Sequence, residues 1–395
     1  MTEFLALDGS YGEGGGQVLR TSLTLSALLN RPLHLRQIRA GRPKPGLAPQ
    51  HLTTVLAVAK VCDAEVRGAY LGSTDLWFAP RQSPQGGTYT FDVTQAAQGG
   101  SAGAVSLIWQ TLLLPLAFAP TPSHLTLKGG THVPWSPPFD YLAGVFLPTV
   151  RRLDLTATLA LDAWGFYPVG GGVMRSEISP RTSQAALENQ PLPHPSPGKG
   201  GAVTPPSLPG KGAGGLGVQP TPPPLPSLSL TERGALKRVR GAAVACNLPA
   251  DIAQRIANRA VNVLRGRKLP VDIAPRRVSG PGMGAGLFLV AEYEHAVAGF
   301  SALGARGKPS DQVADEACQA LLAHHATDAA VDPHLADQLL LPLALAEGRS
   351  DLTTSEVTGH LLTNAYVIQK FLPVSIEMTG REGKPGRVTV MPARP

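Results

Sequence analysis

Cysteine is scarce: Cys62, Cys246 and Cys318 are the only three in 395 residues. They share no CxxC or other metal-ligand spacing, and so scattered a set excludes a disulfide framework. Their expected role is that of small buried hydrophobes in a reducing cytosol. Long hydrophobic runs are missing too. The most apolar stretch, Val105 to Phe118, is interrupted by Gln110 and Pro115 and falls short of the roughly 20 residues a bilayer requires. The opening Met-Thr-Glu has neither a basic nor an apolar leader region. A cytoplasmic chain with no membrane partner is expected.

A third absence is local. Between Pro191 and Pro226 there is no Asp, no Glu and no aromatic residue, while twelve prolines and eight glycines crowd in. Such a stretch cannot bury enough apolar surface to offset its ordering entropy. It repeats itself, with Pro-Gly-Lys-Gly at 197–200 and again at 209–212. A flexible linker over 181–230 is expected.

What remains is ordinary for a soluble globular protein, at 43% hydrophobic and 16% charged, and long enough for two cores. The 35 Lys+Arg exceed the 28 Asp+Glu by seven, which favours polyanionic partners. The excess begins early, since residues 1–60 hold Arg20, Arg31, Arg36, Arg39, Arg42, Lys44 and Lys60 against Glu3, Asp8 and Glu13. Periodicity predicts strands at Phe4–Asp8 and Leu33–Ile38 with helices at Val18–Leu29 and His51–Cys62, followed by strands near Leu76–Ala79 and Thr88–Val93. The plan recurs, with helices at Val105–Phe118 and Tyr141–Leu153 and strands at Leu125–Lys128 and Leu155–Leu161. It recurs again as helices at His334–Ala346 and Leu361–Phe371 and a hairpin of Val374–Met378 with Arg387–Met391. The fold class is therefore α/β of the α+β type, three repeated two-helix and strand units, with a small inserted α/β domain between the second and third. The boundaries are 1–180 and 330–395 for the core and 231–329 for the insertion.

Three segments carry chemistry. Leu7 to Arg20 reads Leu-Asp-Gly-Ser-Tyr-Gly-Glu-Gly-Gly-Gly-Gln-Val-Leu-Arg. Its glycines bring backbone N–H groups to a helix start that favours anions, and Glu13 offers a carboxylate for a divalent metal accompanying a nucleotide. A tight strand-to-helix turn with a solvated Glu fits the same residues. No Gly-Lys-Ser/Thr follows, so it is not a Walker A loop. In the second segment, Arg39, Arg42 and Lys44 stand on a stiff Pro/Gly loop between a strand and a helix, and guanidinium forks match phosphate oxygens. A solvated basic loop is the alternative. In the third, Thr358-Gly-His-Leu-Leu-Thr-Asn364 is a helix start that places His360 in the first turn, facing any anion held there, as a nucleophile towards phosphorus would. A lone histidine is also compatible with a structural role.

Taken together, the chain resembles the RNA 3′-terminal phosphate cyclase family. The resemblance rests on Asp-Gly-x-x-x-Glu-Gly-Gly-Gly-Gln-x-Leu-Arg from Asp8 and on Ile-Arg-Ala-Gly-Arg-x-x-Pro-Gly-Leu-x-x-Gln-His from Ile38. It extends through Gly129-Gly-Thr131, Ser136-Pro-Pro138, Leu335-Ala-Asp-Gln338 and His360-Leu-Leu-Thr-Asn364, and covers nearly all of the chain but the linker.

The resemblance implies an ATP-dependent enzyme of the ligase class whose partner is RNA ending in a 3′-phosphate. By position, His360 would take AMP from ATP, and Glu13 would hold the divalent metal, Mg or Mn. Arg20, Arg39, Arg42 and Gln50 would surround phosphates. Gln110, Pro137, His334, Leu335, Ala336, Asp337 and Gln338 would form the nucleotide pocket. His334 stands where members often carry Tyr, which implies altered nucleotide affinity. Two other readings are a non-catalytic RNA-processing scaffold, which His360 argues against, and an enolpyruvyl-transferase-like enzyme, whose phosphate-binding Lys and Arg pattern is absent.

Overall fold

The computed structural model describes residues 3–96, 102–181 and 222–392. Most of the linker, and residues 97–101 ahead of the third helix, lie outside these residues. Strands β1 (Leu5–Asp8), β2 (Leu33–Arg36), β3 (Glu65–Arg67) and β4 (Leu76–Ala79) form one sheet in the order β1-β2-β4-β3, with helices α1 (Gly16–Leu29) and α2 (Pro49–Val61). A second sheet, β5-β6-β8-β7, joins β5 (Thr88–Asp92), β6 (Ser123–Gly129), β7 (Ala157–Ala163) and β8 (Gly172–Ile178). Its helices are α3 (Val105–Ala117) and α4, which runs from Phe139–Tyr141 through a π-helical stretch, Leu142–Phe146, into Leu147–Val150.

After β9 (Ser229–Leu230) comes a segment with its own sheet. It contains β10 (Leu236–Cys246), α5 (Ala250–Arg265), β11 (Val271–Val278), β12 (Gly284–Tyr293), β13 (Val297–Leu303) and α6 (Ser310–His325), with strand order β11-β10-β12-β13. Helix α7 (Pro333–Ala344), β14 (Ser350–Thr354), α8 (Gly359–Phe371), β15 (Val374–Thr379) and β16 (Gly386–Pro392) complete the chain, in a sheet ordered β15-β16-β14-β9.

One pairing pattern occurs in all four sheets. A parallel edge pair, β1 with β2, β5 with β6, β10 with β11 and β9 with β14, is continued by two antiparallel pairings. Parallel neighbours need a crossover rather than a tight turn. Helix α1 supplies the first, α3 the second and α5 the one from β10 to β11, whereas the connection from β9 to β14 contains the whole β10–α6 segment followed by α7. The fold is thus α+β, with mixed sheets and helices packed on them.

The strands expected from alternation are present, but β3, β8, β9 and β14 were not expected. β3 has three residues, and β14 is Ser-Asp-Leu-Thr-Thr, too short and polar for a period-2 signal to stand out. Residues 222–230 correct the linker's C-terminal limit. Leu225, Leu228 and Leu230 are buried, the backbone N–H of Leu225 donates to the Leu345 carbonyl at 2.8 Å, and β9 lies along β14. Composition alone could not separate these leucines from the surrounding prolines.

Three hydrophobic clusters result. The largest runs from Leu7 to Val390 beneath the three sheets outside the β10–α6 segment. A second, of residues 239–321, lies between the β10–β13 sheet and helices α5 and α6, and a small third joins Phe166 to Ala242, Val244, Cys246 and Phe288. The first two regions meet where the carboxylate of Asp332, fully buried, accepts hydrogen bonds from Tyr141 on α4, from the Gly299 N–H of β13, and from the first N–H groups of α7. Among the described residues no helix is long and apolar enough to cross a membrane.

Candidate active site

The glycine loop before α1 is shaped by close approach. Gly12 has φ of +63°, and a Cβ there would fall 2.2 Å from Oγ1 of Thr363 on α8. Gly16 is needed for a different reason: a Cβ would stand 2.3 Å from Nε2 of His51 and 2.9 Å from Nη1 of Arg20. Small residues at these points bring the start of α1 against α8 on one side and against α2 on the other.

Helix α8 begins at an N-cap, Thr358, whose Oγ1 accepts from the Leu361 N–H at 3.1 Å. His360 is therefore in the first turn. Its Nδ1 lies 3.0 Å from Oε2 of Glu13, and its ring is 44% exposed, open to a ligand. The Gln17 amide donates to the His360 carbonyl at 2.6 Å, and Thr21 Oγ1 donates to Asn364 Oδ1 at 2.8 Å. Two bonds from α1 thus fix the first turns of α8. Burial lowers the His360 pKa from its usual value, Glu13 opposes that shift, and Arg20 and Arg42 reinforce it. A neutral ring donating from Nδ1 to Glu13 leaves the Nε2 lone pair free.

The cations converge on the same place. Arg42 Nη2 lies 3.5 Å from Glu13 Oε2. Arg39 holds a left-handed φ of +56° and donates to the Gly46 carbonyl at 2.6 Å; burial and then Arg42 lower its pKa. Arg20 is lowered to about 10 by burial, offset by Asp337. His51 is buried, and its pKa is depressed well below the usual value by burial and by Arg20, Arg39 and Arg42. Three guanidinium groups around a neutral imidazole concentrate positive charge, which an anion would relieve. His51 was not singled out in the sequence, although it closes the segment that begins at Ile38.

The residues expected around a nucleotide are divided in two. Gln110 Nε2 donates to Gln338 Oε1 at 2.7 Å, and Asn364 Nδ2 to the Asp337 carbonyl at 3.3 Å. Asp337 is raised to about 7 by burial, with Arg20 opposing. These residues form one connected wall from α3 through α7 to α8. His334 is exposed at the start of α7, and Pro137 lies on the loop leading into α4, whose Tyr141 bonds Asp332 at the same helix start. Leu335 and Ala336, in contrast, pack in the core, so only their backbone is available to a ligand. Gln50 Oε1 accepts from the Ala104 N–H at 2.7 Å and faces a neighbouring cavity. Lys44 lies on the exposed part of the basic loop.

Glu13 has a carboxylate neighbour that the sequence did not suggest. A Cβ at Gly359 would meet Glu13 Oε1 at 2.7 Å and Glu382 Oε1 at 3.0 Å, so both acids flank the start of α8. Among the described residues no group of three or more His, Cys, Asp and Glu is placed to hold a metal. One or two carboxylates beside an anion site fit a hard cation that takes its remaining ligands from water and phosphate, as Mg²⁺ does.

The family profile described as RNA 3′-terminal phosphate cyclase matches residues 11–378. The chain belongs to this family. It is 46% identical over 374 residues to an RNA 3′-terminal phosphate cyclase of Gloeothece citriformis, covering 95% of each chain. A Trichormus variabilis protein of the same name is 48% identical over 365 residues, 92% of this chain and 93% of its own. One from the archaeal Pyrobaculum aerophilum is 39% identical over 381 residues, 96% and 95% of the two chains. Glu13, the cation cluster and His360 fall inside the matched residues 11–378.

Proposed function

We propose that this enzyme converts the 3′-phosphate end of RNA into a 2′,3′-cyclic phosphate, driven by ATP, with His360 carrying AMP between the two substrates. The observation that carries the reading is the Glu13–His360 contact at a helix start, set among Arg20, Arg39 and Arg42. Nε2 of His360 attacks the α-phosphorus of ATP; a P–N bond forms and the P–O bond to pyrophosphate breaks. Glu13 holds the ring in one tautomer and orientation, and the arginines stabilise charge developing on the phosphoryl oxygens. An oxygen of the RNA 3′-phosphate then attacks the same phosphorus, breaking the P–N bond and leaving an RNA–AMP anhydride. The neighbouring 2′-OH attacks the 3′-phosphorus intramolecularly and loses its proton, and AMP departs. A divalent ion held by Glu13, with Glu382 opposite, would neutralise triphosphate charge. Gln110, Gln338, Asp337 and the exposed His334 ring supply the nucleotide side.

Incubation with α-labelled ATP tests the proposal. The parent should retain acid-labile AMP and His360→Ala should not; labelling of the variant at the parental level would reject the mechanism. RNA ending in 3′-phosphate should be cyclised and RNA ending in 3′-OH should not. A 2′-deoxy terminus should stall at the adenylylated end.

A further inference from the structure

Trp135 is 95% exposed, the most exposed large hydrophobic side chain among the described residues, and its φ is +59°. A bulky residue in the left-handed region is strained, and an indole in solvent recovers none of that strain through packing. Tyr167, 60% exposed, shares a cavity with it. The two aromatics and Gln50, Ala104, Val133 and Ser136 line one cavity of about 260 Å³. Their supporting segments are tied together: Thr131 and His132 donate backbone N–H bonds to the Gly165 carbonyl at 2.9 and 3.0 Å, and Tyr167 donates to that of His132 at 3.3 Å. Beneath them the buried His132 ring stacks on Trp164 and Phe166. The aromatic pair therefore rests on a rigid base.

The position of the cavity identifies its occupant. Gln50, on its wall, precedes His51, around which Arg20, Arg39 and Arg42 gather. The nucleotide wall of Gln110, Asp337 and Gln338 lies further along α3 and on α7. This cavity opens between the N-terminus of α2, the start of α3 and the loop before α4, which also carries Pro137. We propose that Trp135 and Tyr167 form a stacking platform for the 3′-terminal nucleobase of the RNA whose phosphate lies among the arginines. Every base has a π-face, so the platform is sequence-tolerant, suiting an enzyme that recognises an end rather than a sequence. The inference rests on the function proposed above.

Base-on-aromatic stacking predicts a roughly tenfold or greater rise in KM for 3′-phosphate RNA in Trp135→Ala, and a smaller rise in Tyr167→Ala, with Trp135→Phe restoring most of the loss. An RNA lacking only its terminal base should show the same penalty with the parent and almost no further penalty with Trp135→Ala. RNA binding should quench tryptophan fluorescence in the parent and much less in Trp135→Phe. Trp135→Gly, which relieves the φ strain, should melt no lower than the parent, so a KM effect in that variant cannot come from misfolding. An unchanged KM in Trp135→Ala, or penalties of variant and abasic RNA that multiply independently, would overturn the platform and leave the patch to a protein partner. Failure of the parent to cyclise RNA at all would instead reject the function on which the inference rests.

Discussion

Nδ1 of His360 and Oε2 of Glu13 stand 3.0 Å apart although 347 positions separate them in the chain. The contact joins the glycine loop of the first sheet's unit to the first turn of α8 in the last. In the proposed mechanism Glu13 positions the ring, and a misplaced nucleophile costs roughly 10²-fold in rate. Glu13→Ala should lose about that much AMP labelling. Glu13→Gln should fall between, because a carboxamide oxygen still accepts the Nδ1–H bond. Equal losses in the two would assign the role of Glu13 to its charge alone.

The folded chain should lose stability on acidification through a histidine outside the site. His324 is buried between Tyr293 and Phe300, with Nδ1 3.0 Å from Ser355 Oγ. Burial, then Arg233 and His325, lowers its pKa from 6.5 to about 4. Below pH 6.5 the unfolded chain binds a proton that the folded chain refuses, so stability declines from pH 6.5 towards 4. The shift corresponds to about 3 kcal/mol. His324→Phe should remove that contribution from the stability–pH curve in denaturant unfolding, and a slope identical to the parent's would show that His324 is not its source. His51, depressed in the same direction, adds a slope of the same sign. Asp337, raised to about 7, adds one of the opposite sign, so the reading is the difference between variant and parent.

Residues 222–230 should behave as core. Leu225 is fully buried and forms a bridge with Ala346. Leu225→Ala should cost about 2–5 kcal/mol in denaturant unfolding. A cost near zero would return this segment to the linker.

The site is legible in the sequence wherever its residues are contiguous. Gly12 to Gly16 and Arg39 to Gln50 stand in unbroken segments whose spacing itself encodes a loop before a helix, and both helices form within two residues of the expected start. Contacts between units leave no such trace. Gln110 meets Gln338 and Thr21 meets Asn364 across 228 and 343 positions, and no local pattern marks either pair. Glu382 was missed for the same reason, since it nears Glu13 only because Gly359 lacks a side chain. Leu335 and Ala336 show the converse. A contiguous motif selected them, yet helical geometry turns them into the core while His334 remains exposed.

The arginine cluster makes the last prediction. Arg20, Arg39 and Arg42 share one pocket, and the charge of each depresses the pKa of His51. The carboxylates opposing them are few: Glu13 is 3.5 Å from Arg42 in a pair exposed enough to be weak, and Asp337, raised to about 7, is only partly ionised at neutral pH. The free protein therefore holds unbalanced positive charge that an anion relieves. Pyrophosphate, a product of the proposed first step, should raise the melting temperature in proportion to the logarithm of its concentration. Arg42→Gln removes one cation and one weak ion pair, so the free variant should melt at or slightly above the parent temperature. Its affinity for pyrophosphate should fall roughly 10–100-fold, the loss of one hydrogen-bonded charge contact, and its melting curve should need correspondingly more ligand to shift. The effect should shrink in both proteins as salt is raised, because the site is partly exposed. A variant that melts well below the parent and keeps the full pyrophosphate response would mean that Arg42 serves the fold and not the phosphate.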